Sequence, residues 1–108
     1  MSSTTVTRGN SHETFYIGPS LATTAVAAYT SAVQTFSIPG LLTTDLIIVI
    51  GAIGVQTVGI LAGEADCYTN GVLSIQFLNV TAASATPAQG AYAIQVTRVE
   101  GPLPTTAA

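Results

Sequence analysis

Residues 45–64, DLIIVIGAIGVQTVGILAGE, are the most apolar stretch of the chain, and any fold must find a place for them. A membrane-crossing helix needs about 20 mostly apolar residues and draws basic residues to its cytoplasmic end. Between 46 and 63 only Gln56 and Thr57 interrupt the run, so the length nearly suffices. Yet Asp45 and Glu64 flank it, and no Lys or Arg stands nearby. Gly51, Gly54, Gly59 and Gly63 fall inside it, and each Gly weakens a helix by about 1 kcal/mol relative to Ala. Gly59 and Gly63 make one G-x-x-x-G spacing, a weak signal for packed membrane helices when it occurs once. The apolar residues are mostly β-branched: Ile47, Ile48, Val49, Ile50, Ile53, Val55, Val58 and Ile60. Such residues suit strands. The stretch reads as two short buried strands, DLIIVIGA and TVGILAGEAD, joined by a Gly-containing connection.

The remaining chain follows the strand period. VLSIQFLNV places Leu73, Ile75 and Phe77 on one face and Ser74, Gln76 and Leu78 on the other. AYAIQVTRV sets Tyr92, Ile94 and Val96 against Ala93, Gln95 and Thr97, and VQTFSI sets Gln34, Phe36 and Ile38 against Val33, Thr35 and Ser37. Pro39-Gly40 and Thr69-Asn70-Gly71 are turn signals. Pro87 and Gly90 break any helix in VTAASATPAQG, which reads as an extended loop. ATTAVAAYTSA is alanine-rich enough for a helix, but Thr23, Thr24 and Val26 suit an extended segment equally. Five strands with two or three further candidates predict an all-β fold: an antiparallel β-sandwich, jelly-roll-like, in one domain. Its expected core is Leu46, Ile48, Ile50, Leu73, Ile75, Phe77, Ile94 and Val96, with Phe36 close by.

Few chemistries fit this composition. Charged residues make up 6% of the chain, with two basic side chains, Arg8 and Arg98, no Lys, and a net charge of −3. That leaves no footprint for a nucleic-acid backbone or for anionic lipid, so neither nucleic acid nor membrane is an expected partner. The first 20 residues lack the apolar core of a signal peptide. His12 beside Glu13 is too small a set for a metal or a catalytic triad. Cys67, the single cysteine, admits no intramolecular disulfide and no CxxC site and reads as a small buried thiol. Glu64 and Asp66 share a face if GEAD is a strand, but two carboxylates alone complete neither a Ca²⁺ site nor an acid–base pair; a solvated strand end is the plainer reading. Asn79-Val80-Thr81 matches a glycosylation sequon, which carries meaning only on a secretory route. No glycine pattern matches a nucleotide loop. The chain is read as a non-enzyme without cofactor or metal.

Two basic and five acidic side chains cannot cover a 108-residue domain in the usual way, and a neutral surface of Thr, Ser, Ala and Gln is poorly guarded against association. A protein permanently docked to neighbours needs no such guard. Residues 1–20 are read as an N-terminal arm, 21–100 as the β-sandwich and 101–108 as a tail. The arm lacks the apolar surface to order itself and is expected to run extended against a neighbouring subunit or a larger shell on which the protein sits. Phe15, Tyr16, Ile17 and Leu21 serve as its anchors, and Arg8, His12 and Glu13 as its polar contacts. Removing residues 2–14 is expected to leave the sandwich folded.

Several segments also resemble a known pattern: Thr35 to Leu41 with its Ile38-Pro39-Gly40 turn, Thr44-Asp45 before an apolar strand, Phe77 to Asn79, a Thr/Ala-rich loop, and Tyr92 to Val96. Together, over residues 33–99, they are similar to small β-sandwich capsid decoration, or cement, proteins of tailed bacteriophages. That resemblance implies a structural virion protein on the outer capsid surface. Its partners would be the major capsid protein and further copies of itself, a homotrimer first and a homodimer second. Two readings of other classes stay open on the sequence alone: a receptor- or carbohydrate-binding β-sandwich module of a tail or head fibre, and a small membrane protein built on residues 46–63.

Overall fold

The computed structural model describes residues 11–106. Its strands are β1 (Ser11–Ile17), β2 (Ser20–Leu21), β3 (Ser31–Ser37), β4 (Leu46–Ala52), β5 (Ile60–Thr69), β6 (Val72–Asn79) and β7 (Gly90–Val99). No helix forms among the described residues; ATTAVAAYTSA is tied down by an isolated bridge from Val26 to Ala85, turns at Ala28-Tyr29 and enters β3.

Two antiparallel sheets pack together as a β-sandwich. In the first, β7 is central: β4 pairs one side, while β1 and β2 pair successive parts of the other. β1 and β2 are one edge interrupted at Gly18-Pro19, where the Tyr92 amide still donates to the Pro19 carbonyl at 3.0 Å. Proline is tolerated there because an edge strand needs no second ladder. The second sheet runs β3-β6-β5. Seven strands are described, one fewer than the eight of a jelly roll, and the plain sandwich is the architecture observed.

The turns follow their residues. Pro39-Gly40 forms a turn closed by the Leu41 amide on the Ile38 carbonyl, with Gly40 at φ 92°, the conformation only glycine adopts freely. Asn70-Gly71 joins β5 to β6. Bonds from Gly71 to the Leu41 carbonyl and from Ile38 to the Gly71 carbonyl, both 2.8 Å, fasten the two turns to each other.

The core combines Leu73, Ile75 and Phe77 of β6 with Tyr92, Ile94 and Val96 of β7, as the alternation predicts, and Phe36 packs against it. Phe77 and Tyr92 meet edge to face, ring centroids 6.4 Å apart. Leu21, Val26, Leu41 and Cys67 complete the cluster.

β4 corrects the expected core. Leu46, Ile48 and Ile50 are 42%, 59% and 58% exposed, and Ile47 and Val49 turn inward instead, opposite Val96 and Ile94 of β7. The cause lies one residue upstream. The Asp45 carboxylate is buried, accepting bonds from Arg98 Nε at 3.1 Å and from the Leu42 amide at 3.0 Å. With 45 inward, pleating sends 46, 48 and 50 outward.

The N-terminal arm is corrected as well, as far as it is described. Residues 11–17 form β1 and pair with β7 of their own chain, and residues 20 and 21 do the same. Removing residues 2–14 would therefore take away the first half of β1, an edge strand paired with β7. Residues 1–10, Arg8 included, lie outside the described residues.

Candidate functional site

The expected contact residues part company in space. Leu21 is in the core, and Phe15 and Ile17, partly buried, pack against it from β1. Glu13 is exposed and lies 3.7 Å from Arg98 in a solvent-facing ion pair. His12 is exposed where β1 slips its register against β7. Of the anchors only Tyr16 points to solvent.

Tyr16 belongs to a surface the sequence did not reveal. On the outer face of the first sheet, pairing places Tyr16, Gln95 and Ile48 in one row and Thr14, Thr97 and Leu46 in the next, with the two threonine hydroxyls 3.3 Å apart. Ile50 follows on β4. Ile53 then reaches toward β1, its Cδ1 3.8 Å from where a Cβ would stand on Gly18. No charged side chain occurs among these residues. Beyond them the connection from β4 to β5 carries Val55 and Val58, 92% and 88% exposed. The missed signal was the inward Asp45: once its side is known, the outward apolar row follows.

The outer face of the second sheet is of another kind. One row runs Val33, Gln76 and, through a bulge in β5 after Ala62, Glu64; the next runs Thr35, Ser74 and Asp66. Val33, Glu64, Asp66, Ser74 and Gln76 line a shallow pocket of about 120 Å³. The carboxylates thus sit mid-strand rather than at a solvated strand end. Among the described residues no three His, Cys, Asp or Glu side chains gather as a metal cluster.

The polar interior is structural. Asp45 and Arg98 form a staple at one end of the sandwich: Arg98 also donates to the Gly40 carbonyl at 2.7 Å, and its guanidinium lies 5.0 Å from the centre of the Phe15 ring. Asn79 is wholly buried. Its amide donates to the Val26 and Ala83 carbonyls at 2.9 Å each and accepts from the Thr81 amide and hydroxyl. A buried, fully bonded amide is closed to glycosylation in the folded chain, whatever the sequon. Cys67 is buried, its thiol 3.1 Å from the Thr69 carbonyl. Burial pushes the Tyr92 hydroxyl above its ordinary value of 10.0, and it donates to the Ala88 carbonyl at 2.6 Å. A cleft of about 200 Å³ opens between β4 and β5 as far as Phe77 and Tyr92, with both polar and apolar atoms in its lining, Gln56 and Thr57 among them. Nothing in it pairs a nucleophile with a base.

No helix among the described residues is long and apolar enough to cross a membrane. Residues 46–63 are β4, the start of β5 and the turn between. Neither family models, nor curated proteins, nor solved structures yield a match to this chain.

Proposed function

We propose that this protein is a structural virion component of a tailed phage that decorates and stabilises the outer capsid surface as an oligomer, with the outer face of the β1-β7-β4 sheet as a contact surface. The observation that carries the reading is that face: an apolar row on β4, an edge strand, with no Lys, Pro or charged side chain to discourage pairing. Soluble proteins guard such edges, and contiguous exposed apolar patches usually mark contact sites. A subunit that spends its life docked needs no guard. The resemblance over residues 33–99 supplies the virion setting and rests on turn and strand residues alone.

A fibre-type carbohydrate-binding module fits less well. Its stacking aromatics would share one platform, whereas Tyr16 and Tyr68 lie on strands of different sheets. The test is co-sedimentation of the purified protein with expanded capsids that lack it, combined with light scattering for the oligomer, expected to be a trimer or, second, a dimer. A stable monomer at micromolar concentration that leaves capsids bare would overturn the proposal. Contacts of this kind should weaken little with salt, because the Coulomb interactions that salt screens are scarce on the face.

A further inference from the structure

We infer that the pocket over Ser74 on the outer face of the β3-β6-β5 sheet is a binding site for a divalent cation, with Ca²⁺ the ion its ligands suit. The inference is independent of the capsid reading and concerns the opposite face of the sandwich.

The first observation is the carboxylate pair. The bulge between Ala62 and Ala65 adds a residue to β5 and shifts its parity, so that Glu64 and Asp66, two apart, both face outward. Neither carboxylate has an ion-pair partner among the described residues. Two carboxylates held on one short strand segment repel each other unless a cation joins them.

The second observation is Ser74 itself. It is directly opposite Asp66, on the central strand, yet only 3% exposed, because longer side chains stand around it in the pocket. Its hydroxyl oxygen is buried with no hydrogen-bond partner at all, the only such side-chain atom among the described residues. A buried hydroxyl left unpaired costs about 1–3 kcal/mol, so an unpaired one beside two carboxylates calls for an explanation. A bound cation supplies it.

The ligand set selects the ion. Gln76 donates its amide nitrogen to Ser31 Oγ at 3.4 Å, which leaves its amide oxygen as the free end on the pocket. The site then offers two carboxylates, a hydroxyl and an amide carbonyl, all oxygen, with neither imidazole nor thiolate. Oxygen donors select hard cations over zinc or copper. Ca²⁺ accepts 6–8 oxygens in irregular geometry and completes its shell with water, whereas Mg²⁺ demands a near-ideal octahedron. Two carboxylates at an open surface place the affinity in the weak class, with Kd about 10⁻⁴–10⁻³ M.

The experiment is thermal unfolding of the whole chain in 10 mM CaCl₂, in 10 mM MgCl₂ and in NaCl of equal ionic strength, with calorimetric titration of CaCl₂ at one temperature. Calcium should raise Tm by about 5 °C, the shift expected of a ligand at roughly ten times its Kd, and titrate as one site per chain. Asp66→Asn and Glu64→Gln should each abolish the shift. Ser74→Ala, which keeps both carboxylates, should weaken Ca²⁺ binding about 10-fold. Glu13→Gln, a carboxylate removed from the other sheet, should keep the shift in full. Equal shifts in CaCl₂ and in matched NaCl or MgCl₂, or a full calcium shift retained by Asp66→Asn, would overturn the inference.

Discussion

The two outer faces of this sandwich are built from the same kind of strand and present opposite surfaces. On the β1-β7-β4 sheet the outward residues of β4 are Leu46, Ile48 and Ile50, beside Tyr16 and Gln95, without a charge. On the β3-β6-β5 sheet the outward residues include Glu64 and Asp66 around a sunken Ser74. The first face conceals nothing and asks to be covered; the second holds the only two carboxylates of the described strands that share a pocket. The difference teaches that the inner face of a sandwich limits the outer one very little. Both sheets bury similar aliphatic rows, and the outward residues are free to differ, an uncharged apolar row on one side and two carboxylates on the other.

The contrast depends on both sheets staying packed, so its most drastic disruption is in the core. Phe77 stands between them against Tyr92, and Phe77→Ala should cost about 3–5 kcal/mol. In urea unfolding followed by fluorescence and circular dichroism, both faces should be lost in one transition. An unchanged midpoint would mean that Phe77 does not fill the core.

Next comes the staple that decides which side of β4 faces out. Asp45→Ala leaves the Arg98 guanidinium without its buried carboxylate partner, and removing one member of a buried pair costs about 3–5 kcal/mol. The low end is expected, since Arg98 keeps the Gly40 carbonyl and some solvent. Differential scanning calorimetry checks the size, and hydrogen exchange on β4 should rise more than on β6. Equal loosening of the two strands would detach the staple from the register of β4.

Asn79→Ala removes four hydrogen bonds and leaves the Thr81 amide without its acceptor, while the Val26 carbonyl keeps the Ala85 amide and the Ala83 carbonyl keeps the Thr81 hydroxyl; about 1–3 kcal/mol is expected for the lost bonds and the unpaired donor. Chemical denaturation measures it. The loss should fall on the loops at one end and leave the contrast between the faces intact.

A matched pair of surface changes sharpens the comparison most directly. Ile48→Lys and Thr35→Lys each put one ammonium group on an exposed position, one per face, and each should alter stability by no more than about 0.5 kcal/mol. Only Ile48→Lys should reduce oligomer size and capsid co-sedimentation. Identical behaviour of the two variants would remove the functional difference between the faces.

The smallest expected effect is alkaline. Burial raises Tyr92, so the folded state holds the phenolic proton more tightly than the unfolded chain does. Its contribution to stability is complete below the unfolded value near 10 and declines as pH rises from there through the higher folded value. Melting curves from pH 9 to 11 should show Tyr92→Phe losing less stability than the parent over that window.

Much of this was legible from residues alone. The strands β3, β6 and β7 alternate apolar and polar side chains, and for them period 2 names both the element and its buried side, down to Leu73, Ile75, Phe77, Ile94 and Val96. Pro39-Gly40 and Asn70-Gly71 announce their turns because glycine alone enters the required φ at no cost. The β-branched, Gly-broken character of residues 45–64 ruled in favour of strands over a spanning helix. The bulge in β5, the unpaired hydroxyl of Ser74 and the pairing of β1 with β7 carried no local signature, since each depends on which strand lies alongside.

β4 shows where the limit falls. LIIVI is apolar at both parities, so alternation cannot say which half is buried, and a shift of one residue exchanges the core row for the surface row. The choice is made by Asp45 meeting Arg98, 53 positions away along the chain. Local sequence determined that these residues form a strand, because backbone preference and hydrophobicity act over a few neighbours. Tertiary structure alone decided which of them the solvent sees, because burying the carboxylate beside its counter-charge requires two distant segments to be in place at once.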